Sequence, residues 1–123
     1  MKKVLLDTNA LMAMVEFRVD LFTEIAKTLD FPATVCILQG AINELAKIIS
    51  GESPKHAKIA RLAQTLIKKR DVEIIPSSND VDNLLRIYSR QGYLILTQDQ
   101  ELKRKLTKPY LIIRQKKKIV LIK

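Results

Sequence analysis

The chain has 123 residues, 47% of them apolar, and a formal net charge of +9. That length predicts one domain spanning 1–123 with a real core, and no apolar run is long enough to cross a bilayer, which excludes an integral membrane protein of the helical kind. The single Cys36 excludes an intramolecular disulfide, and Met1-Lys2-Lys3 leads into too short an apolar run for a signal peptide, so the expected setting is cytoplasmic.

In chain order, Lys3 to Leu6 reads as a strand, an apolar run of the kind buried on both faces of a parallel sheet. It ends in Asp7-Thr8-Asn9, with Asn9 a candidate cap for a short helix through Leu11, Met12 and Met14. Val19, Phe22, Ile25, Ala26 and Leu29 repeat at helical spacing, and Phe31-Pro32 ends that helix. Phe17, Phe22 and Phe31 are expected in the core. Ala33 to Leu38 is a second strand, and Gln39 to Ile49 a helix. Ser53 then caps a helix with Pro54 at its first position, whose buried stripe is Ile59, Leu62, Ala63, Leu66 and Ile67. Val72 to Ile75 is a third strand. Asn79 or Asp80 caps a helix that runs to Gln91 and stops at Gly92. Tyr93 to Leu96 is a fourth strand, followed by a short helix opened by Asp99 or Gln100. Tyr110 to Ile113 is a fifth strand, with a candidate sixth at Ile119 to Ile122. Strands alternating with helices in this order predict an α/β fold: a three-layer α/β/α sandwich around a Rossmann-like central parallel sheet of about five strands.

Charge is unevenly spread. Nine of the 22 Lys and Arg residues, and none of the 13 acids, lie at or after Leu102, so the preceding part carries 13 of each. A basic C-terminal segment points to a polyanion such as nucleic acid, against the plainer reading of a solvated face. Lys103, Arg104 and Lys105 closely follow Asp99 and are candidate phosphate contacts; Arg114, Lys116 and Lys117 continue the series.

Two acids, Asp7 and Asp99, come after apolar strands and before helices, Asp99 in the polar stop Thr97-Gln98-Asp99. Both belong at the carboxyl edge of the sheet, where open α/β folds bind ligands. Glu44 lies about one and a half turns into the helix after the second strand, and Asp82 in the first turn of the helix after the third. Taken singly, each has an ordinary role as a cap or a solvated residue; together they can face one crevice. Carboxylates about 4 Å apart repel by about 4 kcal/mol at an effective dielectric of about 20. Bound cation relieves that crowding, and an all-oxygen set without His or Cys selects Mg²⁺ or Mn²⁺.

The segments Leu5-Leu6-Asp7-Thr8-Asn9-Ala10-Leu11, Ile42-Asn43-Glu44-Leu45, Asp82-Asn83-Leu84-Leu85 and Leu96-Thr97-Gln98-Asp99-Gln100-Glu101-Leu102-Lys103-Arg104 resemble those of PIN domains. This is a metal-dependent nuclease family that includes prokaryotic toxin ribonucleases and ribosomal-RNA processing enzymes. The terminal Ile113 to Lys118 is similar to archaeal proteins related to the latter branch. The resemblance implies Asp7, Glu44, Asp82 and Asp99 as metal ligands and catalytic acids, with Asn9 and Thr97 as supporting polar residues. Asn83 stands where relatives often carry a small residue such as Ala, which leaves Asp80 as an alternative third acid. What the resemblance implies is an endoribonuclease, with RNA as partner, homodimerisation, and ribosome-assembly proteins or an antitoxin as further partners. The alternatives are a catalytically weak RNA-binding or scaffold domain and a toxin ribonuclease.

Overall fold

The computed structural model describes residues 2–123. Strands β1 (Lys2–Leu6), β2 (Ala33–Leu38), β3 (Glu73–Ile75), β4 (Leu94–Leu96), β5 (Tyr110–Arg114) and β6 (Lys118–Ile122) form one sheet in the order β3-β2-β1-β4-β5-β6. Helices α1 (Thr8–Glu16), α2 (Leu21–Thr28), α3 (Gln39–Ile49), α4 (Pro54–Lys68), α5 (Val81–Arg90) and α6 (Gln100–Lys105) connect them. The first five strands are parallel, as their alternation with helices requires. The sixth is a strand and runs antiparallel to β5, joined to it by a tight turn. Gln115 and Lys116 both take φ 56° in that turn, a left-handed conformation that side chains other than glycine avoid.

The sheet is covered on both faces. Val4 and Leu6 point to one face, where they meet Leu11, Leu21, Ile25, Leu45 and Ala60 from α1 to α4. Leu5 points to the other, with Cys36, Val81, Leu85, Ile95 and Leu102, beneath α5 and α6. This alternation explains why the first strand reads as an unbroken apolar run: each successive side chain enters a different core.

Several local expectations change. The cap of α1 is Asp7, not Asn9: the Asp7 carboxylate accepts from the Ala10 amide at 2.7 Å. The second helix begins at Leu21, capped by Asp20, and leaves Val19 in the preceding loop. Phe31 is 39% exposed, because the chain has already left α2 and has not yet entered the sheet. The buried stripe of α4 is Ala57, Ala60, Ala63 and Ile67, whereas Leu62 and Leu66 face outward. Its small residues let α4 pack closely on α1 and α3, so fit outweighed hydrophobicity. Ser53, with Pro54 behind it, and Asp99 cap their helices as read from the sequence.

Candidate active site

The carboxyl edge of the sheet is assembled by register. Leu6 pairs with Leu96, so the residues that follow them, Asp7 and Thr97, lie side by side just beyond the sheet. The Asp7 amide donates to the Leu96 carbonyl at 3.2 Å, holding the junction. Asp7 is 5% exposed and Thr97 wholly buried. Both Asp7 oxygens are engaged: Oδ1 by the Ala10 amide, Oδ2 by a short hydrogen bond from the Thr97 hydroxyl. Thr97 Oγ1 also accepts from the Asp99 amide at 3.0 Å. Thr97 therefore couples the two acids that follow strands.

Burial pushes the Asp7 carboxyl up to about 6, against the two hydrogen bonds, which favour its ionised form. The negative charges of Asp99 and Asp82 raise it further. A carboxylate kept dry at a strand end while two neighbours repel its charge is an arrangement that hydrophobic folding alone does not favour.

Asp7, Thr8, Asn9, Glu44, Val81 and Asp82 line one small cleft of about 40 Å³. Three candidate acids from three segments thus share a single concavity. Gly40 makes that convergence possible. A Cβ there would stand 2.3 Å from the Ser78 carbonyl oxygen and 2.8 Å from Val81 Cγ2. With no side chain, the first turn of α3 presses against the approach to α5; the Gly40 amide donates to Ser77 Oγ at 2.9 Å, and Asn43 Nδ2 to Asn79 Oδ1 at 2.8 Å. Glu44, one turn beyond Gly40, is thereby set opposite Asp82.

Asp99 is placed differently. It lies three residues past the paired Leu96 and outside the lining of the cleft. One of its oxygens accepts from the Glu101 and Leu102 amides at 2.9 and 3.3 Å, capping α6. Its charge reaches Asp7, but its side chain is spent in part on the helix. Asp80 occupies the cap position of α5 without a side-chain bond and does not line the cleft.

Lys103 and Arg104 lie in the last turn of α6. Arg114 ends β5, and Lys116 and Lys117 belong to the exposed tip of the β5–β6 hairpin. The Ile113 amide donates to Gln98 Oε1 at 3.1 Å, tying the hairpin to the loop that carries Thr97 and Asp99. The Lys116 ammonium sits 5.5 Å above the Phe17 ring centre, a cation–π contact that orients one of the basic side chains. Sequence reading passed over Gly40, Gln98 and Thr8. Gly40 and Gln98 matter through contacts far along the chain, and the only local mark on Thr8 is its place between Asp7 and Asn9.

The group this donor set implies is a hard divalent cation. The cleft offers carboxylate oxygens and no imidazole or thiol side chain, and the Thr8 hydroxyl that also lines it is buried without a hydrogen-bond partner. Among the described residues, no three His, Cys, Asp or Glu side chains are already drawn together tightly enough to hold an ion. No hydrogen bond or ion pair restrains Glu44, half-buried, or Asp82, exposed, so rotation of these two side chains is what closure around an ion requires. The donors fit Mg²⁺ or Mn²⁺ in kind.

No helix among the described residues is long and apolar enough to cross a membrane. The chain is 25% identical to Ribonuclease VapC4 of Methanocaldococcus jannaschii, over 95% of this chain and 94% of that protein. Among solved structures it is similar to the PIN domain endonuclease Utp24, with a TM-score of 0.78, 25% identity, and coverage of 97% of this chain and 90% of the other. VapBC2 from Rickettsia felis, solved with a DNA fragment from its promoter, shares the fold at a TM-score of 0.55 and 18% identity, over 85% of this chain and 95% of the other. The family model described as a PIN like domain matches residues 4–117, and with that span covering both strand-end acids, Glu44, Asp82 and most of the basic segment, the chain belongs to the PIN-domain family.

Proposed function

We propose that this chain is a divalent-metal-dependent endoribonuclease, one nuclease domain over 1–123 with a basic C-terminal segment. The observation that carries the reading is Asp7: a buried carboxylate, raised to about 6, in a cleft shared with Glu44 and Asp82 and within the field of Asp99. In this reading Asp7, Glu44, Asp82 and Asp99 hold Mg²⁺ or Mn²⁺. Such an ion activates a water for attack on a phosphodiester and offsets the charge that develops. The protein's own groups do the rest. Thr97 fixes the orientation of Asp7 and spaces it from Asp99. Asn9, exposed at the cleft, is free to hydrogen-bond the RNA. Lys103, Arg104, Arg114, Lys116 and Lys117 hold the phosphate backbone across the edge.

Equal identity to the endonuclease Utp24 and to Ribonuclease VapC4 supports nuclease activity, and the ribosomal-RNA processing branch, with ribosome-assembly proteins as partners, is proposed on the sequence resemblance. The toxin role instead predicts an adjacent antitoxin gene and growth arrest on expression. A second reading, an RNA-binding scaffold without turnover, draws on the open arrangement of the acids in this structure. One experiment separates them. Structured and single-stranded RNA are incubated with purified protein and Mn²⁺, with EDTA, and with an Asp7→Asn variant. Cleavage that needs the metal and is lost in the variant supports the nuclease; RNA binding without such cleavage supports the scaffold.

A further inference from the structure

Four polar or charged side chains are buried among the described residues: Asp7, Thr8, Ser89 and Thr97. Three have partners within the protein. Asp7 and Thr97 are joined as described, and Ser89 Oγ donates to the Thr107 carbonyl at 3.1 Å while accepting from its amide at 2.9 Å. Thr8 differs. It is 7% exposed, and its hydroxyl has no hydrogen-bond partner. A buried hydroxyl left unpaired is costly, and valine would fill the same shape without that cost.

The position of Thr8 sharpens the anomaly. Inside a helix, a threonine commonly bonds to the carbonyl one turn earlier. Thr8 is the first residue of α1, so no earlier turn of its helix exists. It does line the acidic cleft with Asp7, Asn9, Glu44 and Asp82. Ionised carboxylates only accept hydrogen bonds, whereas a hydroxyl both donates and accepts. Water complements the two together: it accepts from Thr8 and donates to a carboxylate. A cleft of about 40 Å³ has room for one. Hard divalent cations, Mg²⁺ above all, keep part of their hydration when bound by few carboxylates.

We propose that Thr8 is a positioning residue, whose hydroxyl holds a water molecule in the acidic cleft within the hydration layer of the cation shared by the carboxylates. This rests on the metal-dependent reading above. The contrast with Thr97 defines the role: one buried threonine is saturated by protein and fixes Asp7, and the other keeps its hydrogen-bonding capacity for solvent.

The test is Mn²⁺ titration by calorimetry into the full chain, as wild type, Thr8→Val, Thr8→Ser and Asp7→Asn. Relaxation of water protons by the bound ion is read in parallel, and thermal melts check folding. Thr8→Val is expected to weaken Mn²⁺ binding about threefold to tenfold, the worth of one hydrogen bond, and to change the water relaxation. Thr8→Ser is expected to restore both. Should valine disturb packing, Thr8→Ala removes the same hydroxyl and is read in its place. Wild-type affinity and relaxation in the hydroxyl-free variant, with binding still lost in Asp7→Asn, overturn the role of Thr8 and leave the metal reading standing. A wild type that does not bind Mn²⁺ overturns both.

Discussion

The β1–α1 and β4–α6 junctions are written alike in sequence: an apolar strand, an acid, a helix. In the structure they are physically unlike. Asp7 follows its strand immediately, lies 5% exposed, and has both oxygens engaged. Asp99 comes two residues later, half-exposed, and caps a six-residue helix. The pairing of Leu6 with Leu96 makes the difference. It sets Thr97, not Asp99, beside Asp7, so one acid is sealed under its neighbours and the other stands beyond the edge. The same local motif thus yields a carboxylate that burial pushes up to about 6 and one that spends part of its side chain on a helix. Two residues of offset decide which.

Changing Asp7 has the largest expected consequence. Its folded value of about 6 exceeds the unfolded one near 3.8, so the folded state holds its proton more tightly. The associated stability is full below pH 4 and is lost as pH rises through 6, by about 3 kcal/mol at most. Urea melts of metal-free protein should show that loss between pH 4 and pH 7 for wild type and little of it for Asp7→Asn. Parallel curves would remove the basis for treating Asp7 as the crowded member of the pair.

Thr97→Val tests what separates the two acids. It deletes the donor to Asp7 and the acceptor of the Asp99 amide, leaving both unmet. The expected cost is about 2 kcal/mol in denaturant melts. Because the lost hydrogen bond favours ionised Asp7, the carboxyl should titrate higher still by carbon-detected NMR. A downward move would contradict the account.

Asp99→Asn should be milder. Its partly exposed side chain retains an oxygen for the α6 amides, so metal-free stability should shift by under about 1 kcal/mol. Mn²⁺ affinity, measured by calorimetry, should still fall, since one nearby charge is gone. Unchanged affinity would place Asp99 outside the site and make the junctions more unequal than proposed.

The smallest effect on folding is expected from Lys116→Ala with Lys117→Ala, at an exposed tip where Lys116 lies over the Phe17 ring. RNA affinity should fall, and the slope of log affinity against log salt should flatten by about 1.4 for a single strand if both residues release counterions. An unaltered slope would return the hairpin tip to a solvated surface.

Much of this protein was legible from its residues. The alternation of apolar runs with helical periodicities predicts the layered sheet, because burial on both faces leaves no polar position in a strand such as Val4 to Leu6. The acids at strand ends and the acid-free basic terminus are likewise visible in one dimension. The antiparallel β6, the exposed Phe31 and the alanine stripe of α4 were not, because each depends on which surface a neighbouring element leaves open.

What only the tertiary structure decided are the features made by contact between distant segments. Gly40 admits the Ser78 backbone and so brings Glu44 to Asp82. Register puts Thr97 against Asp7, and burial then raises that carboxyl. Sequence determines which chemical groups reach an edge, since strand and helix periods are local properties. How dry, how close and how well partnered each group becomes is set by packing, since dielectric and hydrogen bonding belong to surroundings that arrive from elsewhere in the chain.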